Sequence, residues 1–430
     1  MSEGRVNMTE NPQSQAPLTP AEAAKQAMAA ARHLADEIGP RPVGSPQEAA
    51  AAAFVQDELR QLLPSGLEMA RQEFSAPRSV WLPFTIACAA ALLGVALWML
   101  TAGSLLGAYL GALGCGFALW EIYAELNFGW SPLAGLVSRV TSRNVIASLP
   151  PAEGEGRNAI VFAHLDTQRT PIFSRSSAGL KAWFVLFYVA LAVIVLTLLA
   201  FVASWFGELR LPSWVGIPAV VVTVPAIAVL LHTDLTPFTA GANDNASSVG
   251  VALALARHFS MHPLKNTHLW IVFTGAEETG CQGAGAFLDK YEDRLLQAYA
   301  IALEGVGVHK PAYSLREGML GAYRSNSELV RQAEHIAKQS PELSLRPVKV
   351  RAGYTEAGMA IKKGYRAIAV LGMDENGLMP YWHSPRDRSD NLREEALAAS
   401  FQAVATLLQR LDEMPLSIKL SQVKPLRERG

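Results

Sequence analysis

The chain has 430 residues, enough for two or three domains at roughly 100–200 residues each. Half of it is hydrophobic and 17% is charged, where soluble domains carry about 25%, and the net charge is −1. This excludes a basic nucleic-acid-binding surface, and three cysteines, Cys88 and Cys115 in apolar runs and Cys281 in "EETGCQG", exclude a disulfide framework and a cysteine-rich metal site.

Residues 1–18 are polar and lack the apolar stretch of a signal peptide, so a disordered tail is expected. Two helices follow. Thr19, Pro20 and Glu22 form a capping box for the first, and Ser45, Pro46 and Glu48 repeat the device for the second. The turn-rich "GPRPVGS" joins them. Residues 81–100 and 104–123 are then almost uncharged, as are 182–206 and 213–232. About 20 helical residues cross a ~30 Å hydrocarbon core, and tryptophans sit near the ends of these runs as an interfacial belt would. Short turns make them two hairpins, so 1–80, 124–181 and 233–430 share one side. That side carries Arg71, Arg78, Arg139, Arg143, Arg169, Arg175 and Lys181 near the hairpins, and the far side carries Arg210, which predicts a cytoplasmic soluble part. The runs hold almost no ionisable group, which reads as anchoring rather than transport.

With the hairpins removed, short apolar strands alternate with helices: "NVIASL" 144–149, "AIVFA" 159–163, "LWIVFT" 269–274, "YAIAL" 299–303 and "AIAVLG" 367–372, with helices over 246–259 and 327–340. This pattern predicts a mostly parallel sheet covered on both faces. Ligands of such sheets bind outside the carboxyl ends of the strands. At those ends stand His164 and Asp166, Glu277 and Glu278, Glu304 and, after a loop, His383, while Asp244 precedes the 246–259 helix. One such residue alone is ordinarily a surface group; the joint pattern is the signal.

Histidine and carboxylate ligands suit zinc and related divalent ions, and this many candidates fit a pair of ions sharing a carboxylate. Of the adjacent Glu277 and Glu278, one can bind metal while the other takes a proton from water; a cation offsets their repulsion. Asp166 can orient His164.

The motifs "AHLDT", "GANDNASSVGVALALAR", "FTGAEETGCQGA", "IALEGVG" and "YWHSPRDRSDNL" resemble the co-catalytic di-zinc aminopeptidases of the bacterial leucyl aminopeptidase type, relatives of glutamate carboxypeptidase and glutaminyl cyclase. The resemblance implies a three-layer αβα zinc exopeptidase fold of the α/β class, here with four transmembrane helices in two hairpins. It implies two divalent ions, zinc by analogy, held by His164, Asp244, Glu278, Glu304 and His383, with Asp244 bridging, Glu277 as general base and Asp166 orienting. The expected organisation is a tail over 1–18, a peptidase domain in three pieces (19–80, 124–181 and 233–430) and hairpins over 81–123 and 182–232. Expected partners are a peptide substrate and the lipid bilayer, with no nucleic acid; oligomeric state is left open. The expected location is the inner membrane of a bacterium, with the peptidase domain in the cytoplasm. Carboxypeptidase, dipeptidase or cyclase chemistry in the same site, or an inactive scaffold, are the alternatives.

Two departures from the family pattern bear on this. Glu304 stands where the family usually has Asp, and 78 residues separate Asp166 from Asp244 where the family has a short loop. The second hairpin fills that gap and holds the metals within roughly 40–50 Å of the bilayer, which points to an active-site mouth facing the membrane. Tyr323, Arg324 and Tyr354 are expected in loops that shape a pocket, and Asp387 beside His383 or as a turn cap. His232 and His309 read as interfacial or surface groups, and Cys281 as packing near the site, open to oxidation.

Overall fold

The computed structural model describes residues 17–154, 156–206, 211–351, 353–375 and 377–415. Most of the expected N-terminal tail and the far-side Arg210 lie outside them. Helix α1 (Pro20–Arg32) starts as its sequence dictates: Glu22 N–H donates to Thr19 Oγ1, and Thr19 N–H to the Glu22 carboxylate. Helix α2 (Pro46–Leu62) takes only half of that device. Ser45 caps Glu48 N–H, but the Glu48 carboxylate is buried and accepts from Gly44 N–H at 2.8 Å and Ser142 Oγ at 2.5 Å. Burial pushes its pKa up to about 7.

Strand β1 (Glu68–Pro77) leads to two long apolar helices, α3 (Trp81–Leu100) and α4 (Leu105–Glu125), and the short α5 (Pro132–Leu136). Strands β2 (Arg139–Leu149) and β3 (Arg157–His164) precede a second apolar pair, α6 (Ser177–Ala203) and α7 (Ile217–Leu235). Helix α6 begins before the expected residue 182 because Ser176 caps it through Gly179 N–H. Then come α8 (Ser248–Met261), β4 (Thr267–Thr274), α9 (Gln282–Lys290), β5 (Tyr299–Glu304), β6 (Pro311–Glu317), β7 (Tyr323–Arg324) and α10 (Ser327–Gln339). β8 (Arg346–Lys349), α11 (Glu356–Lys362), β9 (Arg366–Gly372) and α12 (Glu394–Glu413) complete the chain.

The sheet runs β1-β2-β4-β3-β5-β9-β6-β7, with β8 on β6. Its centre, β4-β3-β5-β9, is parallel; β1, β2 and the β6–β9 and β6–β7 pairs are antiparallel. The central strands are continuous apolar runs because α1, α2, α8, α10 and α12 cover one face and α9 and α11 the other. The result is a three-layer αβα arrangement. Strands β3, β4 and β5 end at His164, Thr274 and Glu304, so their carboxyl ends form one edge.

The apolar helices form a separate core. All four are long and apolar enough to cross a membrane. Helix α3 packs on α4 and α7, and α6 also packs on α4 and α7, leaving α3 and α6 diagonal. Small residues permit this: a Cβ on Gly114 would lie 2.5 Å from the Ala90 carbonyl, and one on Gly111 2.5 Å from Phe201. The bundle is bonded to the sheet-bearing portion of the chain. Tyr354 Oη donates to the Glu125 carbonyl at 3.0 Å, Ser79 Oγ to Asp234 Oδ1 at 2.7 Å, and Arg169 lies 3.4 Å from the same carboxylate.

One residue of "GPRPVGS" ties the opening segment to the site edge. The Arg41 guanidinium is fully buried and donates to the carbonyls of Leu34, Gly39, Leu165, Ala240 and Gly241 at 2.7–3.0 Å. Its backbone exchanges two hydrogen bonds with Thr167. It thereby fastens the loops that carry Asp166 and Asp244. Arg41→Met should cost about 3–5 kcal/mol in denaturant unfolding of the detergent-solubilised chain, because five carbonyls, those of Leu34, Leu165 and Gly241 buried, lose their donor. A loss below about 1 kcal/mol would show that these loops hold without it.

Candidate metal centre

The chain ends of β3, β4 and β5 deliver carboxylates and imidazoles that no sequence-local contact could satisfy. His164 closes β3 with Nε2 3.2 Å from Asp244 Oδ1, 3.3 Å from Glu304 Oε1 and 3.9 Å from Glu277 Oε2. On the far side of Asp244, His383 Nε2 lies 3.5 Å from Asp244 Oδ2 and 3.2 Å from Glu278 Oε2. Two three-residue groups result: His164, Asp244 and Glu304, and Asp244, Glu278 and His383. Asp244 is common to both and offers one oxygen to each. His164 also converges with Glu277 and Glu278. All seven residues singled out in the sequence are therefore brought together, and Glu304 reaches the cluster despite its extra methylene.

The arrangement fits cations. Both Asp244 oxygens, Glu278 Oε1, Glu304 Oε2 and His383 Nδ1 are buried and lack a hydrogen-bond partner. An unsatisfied buried carboxylate costs free energy, and a mixed nitrogen and oxygen donor set suits divalent ions. The titration behaviour has the same cause. Burial raises Glu277 and Glu304 well above the usual carboxylate range, and neighbouring carboxylates add to it. Burial opposes charge on His164, but Glu304 and Asp244 beside it hold its pKa well above the ordinary value. Protons here substitute for positive charge.

The supporting contacts differ in detail from expectation. His164 Nδ1 lies 3.1 Å from the backbone carbonyl of Asp166, while the Asp166 carboxylate is 3.7 Å away and instead accepts from Glu277 and Glu278 N–H, both at 3.0 Å. Asp166 thus fixes the glutamate pair as well as the histidine. Asp387 accepts from Asn243 N–H at 2.6 Å and Asp244 N–H at 3.1 Å, so it holds the shared carboxylate's backbone and does not touch His383. Burial and Asp244 push its pKa up to about 7. Asn245 receives Gly305 N–H and donates to the Leu303 carbonyl, locking the loop after β5.

Some residues were not legible as site residues. Gln168 donates to the Glu278 carbonyl and carboxylate and accepts from the Trp81 indole at 3.1 Å, linking the start of α3 to the cluster. Glu356 is fully buried and accepts from Thr274 Oγ1 at 2.7 Å. Trp382 stacks on His383 with ring centres 4.0 Å apart. Cys281 is fully buried with Sγ 3.1 Å from Glu277 Oε1, and burial raises its thiol pKa well above normal, which removes the thiolate that oxidation needs. Tyr354 lines the site, but Tyr323 is buried against Asn127, and Arg324 is exposed and lines none of the cavities at the cluster. His232 and His309 are exposed.

Residues 223–408 match Peptidase family M28, a span that holds Asp244, Glu277, Glu278, Glu304 and His383. The aminopeptidase YwaD of Bacillus subtilis (strain 168) is 27% identical over 207 residues, 45% of this chain and 43% of its own length, so the match spans less than half of that relative. Among solved structures, a zinc aminopeptidase from B. subtilis aligns with a TM-score of 0.53 at 15% identity, covering 93% of this chain and 97% of that one. A glutaminyl cyclase of an Acidobacteriales bacterium aligns at 0.53 and 13% identity, covering 94% and 98%. The glutaminyl cyclase of Porphyromonas gingivalis aligns at 0.51 and 16%, covering 92% and 100%. These structures share the fold. The segment that matches Peptidase family M28, somewhat under half of the chain, carries five of the seven clustered residues, and the fold around it is the one these solved structures share.

Proposed function

We propose that the chain is a membrane-anchored, zinc-dependent exopeptidase that removes N-terminal residues from peptides. The observation that carries this reading is Asp244, whose two oxygens face His164 and His383 with Glu277 at the same cluster. His164, Asp244 and Glu304 would hold one divalent ion, and Asp244, Glu278 and His383 a second. Two ions so held would supply Lewis acidity, for polarising a scissile carbonyl and lowering the pKa of an attacking water. Zinc is the reading the donor types favour, and the B. subtilis fold neighbour is named a zinc aminopeptidase.

Glu277 belongs to neither Asp244-centred group, so its carboxylate is free to take the water's proton and hand it to the leaving amine. Its backbone is clamped by Asp166, and Cys281 Sγ holds Oε1, which leaves Oε2 toward the cluster. The hydroxyl adds to the acyl carbon, the C–N bond breaks, and the proton ends on nitrogen. The four apolar helices supply the anchor. The basic residues at the hairpin ends support a cytoplasmic peptidase portion under the positive-inside rule.

Elemental analysis of the purified, detergent-solubilised chain should find about two zinc-like ions per chain, falling in His164→Ala. About one ion with cyclisation of N-terminal glutamine would favour the cyclase reading. None after supplementation would mean a site given up, and an inactive scaffold. Chelation should also lower the thermal midpoint, since the clustered carboxylates lose their counter-charge. Glu277→Gln should lose about 10²–10⁴-fold in kcat while ion content stays unchanged. A variant retaining more than a tenth of the rate would remove Glu277 from its role.

A further inference from the structure

Two cavities meet at the carboxylate and histidine cluster. One lies mostly within the peptidase portion, lined by Thr355, Leu371, Met373 and Met379 beside the cluster and by Leu180 at the start of α6, with the exposed cation Arg351 at its rim. The other, of about 200 Å³, leaves the cluster past Glu277, Glu278 and His383 and runs into the helix bundle. Its wall draws on all four apolar helices: Phe84 of α3, Ile122 of α4, Ala190 and Ile194 of α6, and Ala226 of α7. Beyond the cluster, no charged side chain among the described residues lines it. The Gln168 amide, the Trp81 indole and the Tyr354 hydroxyl on its wall already hold hydrogen bonds.

The shape selects an occupant. Lining residues on α6 extend from Trp183 to Ile194. Eleven steps at 1.5 Å make a depth of about 16 Å, about half of a ~30 Å hydrocarbon core. Two turns farther along α6, beyond the cavity's lining, the bundle is packed, with fully buried Phe201 edge-on against Trp98 at 5.0 Å. No encoded side chain spans that depth; a linear hydrocarbon chain does. An apolar void of roughly 150 Å³ already stays dry and admits a hydrocarbon ring. The other cavity, with its cationic rim, suits a leaving half that bears a carboxylate.

We infer that the preferred substrates are amides whose acyl half carries a long linear hydrocarbon chain, with the chain in the bundle cavity and the amide at the cluster. This rests on the hydrolase reading above. Water adds to the acyl carbon, the C–N bond breaks, Glu277 carries the proton to nitrogen, and a long-chain acid and an amine leave. The chain enters from one leaflet, so the hairpins form the acyl site as well as the anchor.

The test uses the full chain with zinc in lipid nanodiscs. One substrate series is N-acylglycines of increasing acyl length; the other is 2-aminoacyl glycines of the same lengths, which keep a free α-amine. In one series, kcat/KM should rise with chain length by up to about fourfold per buried methylene until the cavity is full. The acylglycine series rising identifies N-acylated amino acids, and the aminoacyl series a lipid-modified terminal residue. Ala190→Phe and Ala226→Phe should each lower the dodecanoyl-to-acetyl ratio of kcat/KM, or the matching ratio in the other series, at least tenfold. Should both fail to fold, Ile194→Ala, which lengthens the cavity, should move the optimum to longer chains. Short peptides hydrolysed with no chain-length dependence in either series would overturn the inference and leave the exopeptidase standing. The same separation comes from calorimetric binding to Glu277→Gln. Affinity that climbs with chain length in a chain with no turnover would keep the acyl site and remove the hydrolase reading.

Discussion

The constraint on which the rest of the structure depends is the burial of carboxylates at one sheet edge. Asp166, Asp244, Glu277, Glu304, Glu356 and Asp387 are all buried there, and Glu278 nearly so, against two imidazoles and the Arg41 guanidinium. Moving even one isolated carboxylate out of water costs several kcal/mol. The fold offsets part of this with backbone donors: Glu277 and Glu278 N–H for Asp166, Asn243 and Asp244 N–H for Asp387. Asp244, Glu278 and Glu304 receive no such donors at their remaining oxygens. That division separates carboxylates that build the site from those left open to cations.

The topology explains why the apolar helices touch this edge. Both hairpins leave the peptidase portion from segments beside the cluster. The first follows β1 and begins at Trp81, whose indole meets Gln168; the second occupies the loop between Asp166 and Asp244. A loop that starts and ends at two cluster residues must return its helices to the cluster. An insertion at the opposite sheet edge would have anchored the protein equally well while leaving the site away from the bundle.

Local signals carried much of this into the sequence. The capped starts of α1 and α2, the apolar runs of the central strands and the four long apolar helices all depend on neighbours a few residues away. β6, β7 and β8 did not declare themselves, because β7 spans two residues and β8 four, and their pairing is set by β9 and by each other. The ligand candidates were legible because strand ends are legible. Arg41 and Gln168 were not, since the site loops they bond lie far off in sequence, Leu165, Ala240 and Gly241 at 124–200 residues from Arg41 and Glu278 at 110 from Gln168; Asp387 drew notice in the sequence, but its partners Asn243 and Asp244, 143–144 residues away, did not show there. The bundle cavity was least accessible to sequence reasoning, for it exists only where diagonal α3 and α6 fail to meet.

The hydrogen-bond chain from Trp81 through Gln168 to Glu278 argues against a bundle that merely tethers. Trp81 is the first residue of α3, and Gln168 accepts its indole proton while donating to both the carbonyl and carboxylate of Glu278. A flexible tether would need no polar contact with a residue of the cluster. Tyr354 Oη on the Glu125 carbonyl makes a second such bond at the end of α4, and Ser79, in the link from β1 to α3, with Asp234 near the end of α7 a third. Each would break if the peptidase portion swung away from the helices. Partly buried hydrogen bonds at three points, each worth about 0.5–1.5 kcal/mol, hold the mouth of the apolar cavity in register with the cluster. Register of that kind matters only when one molecule must occupy both.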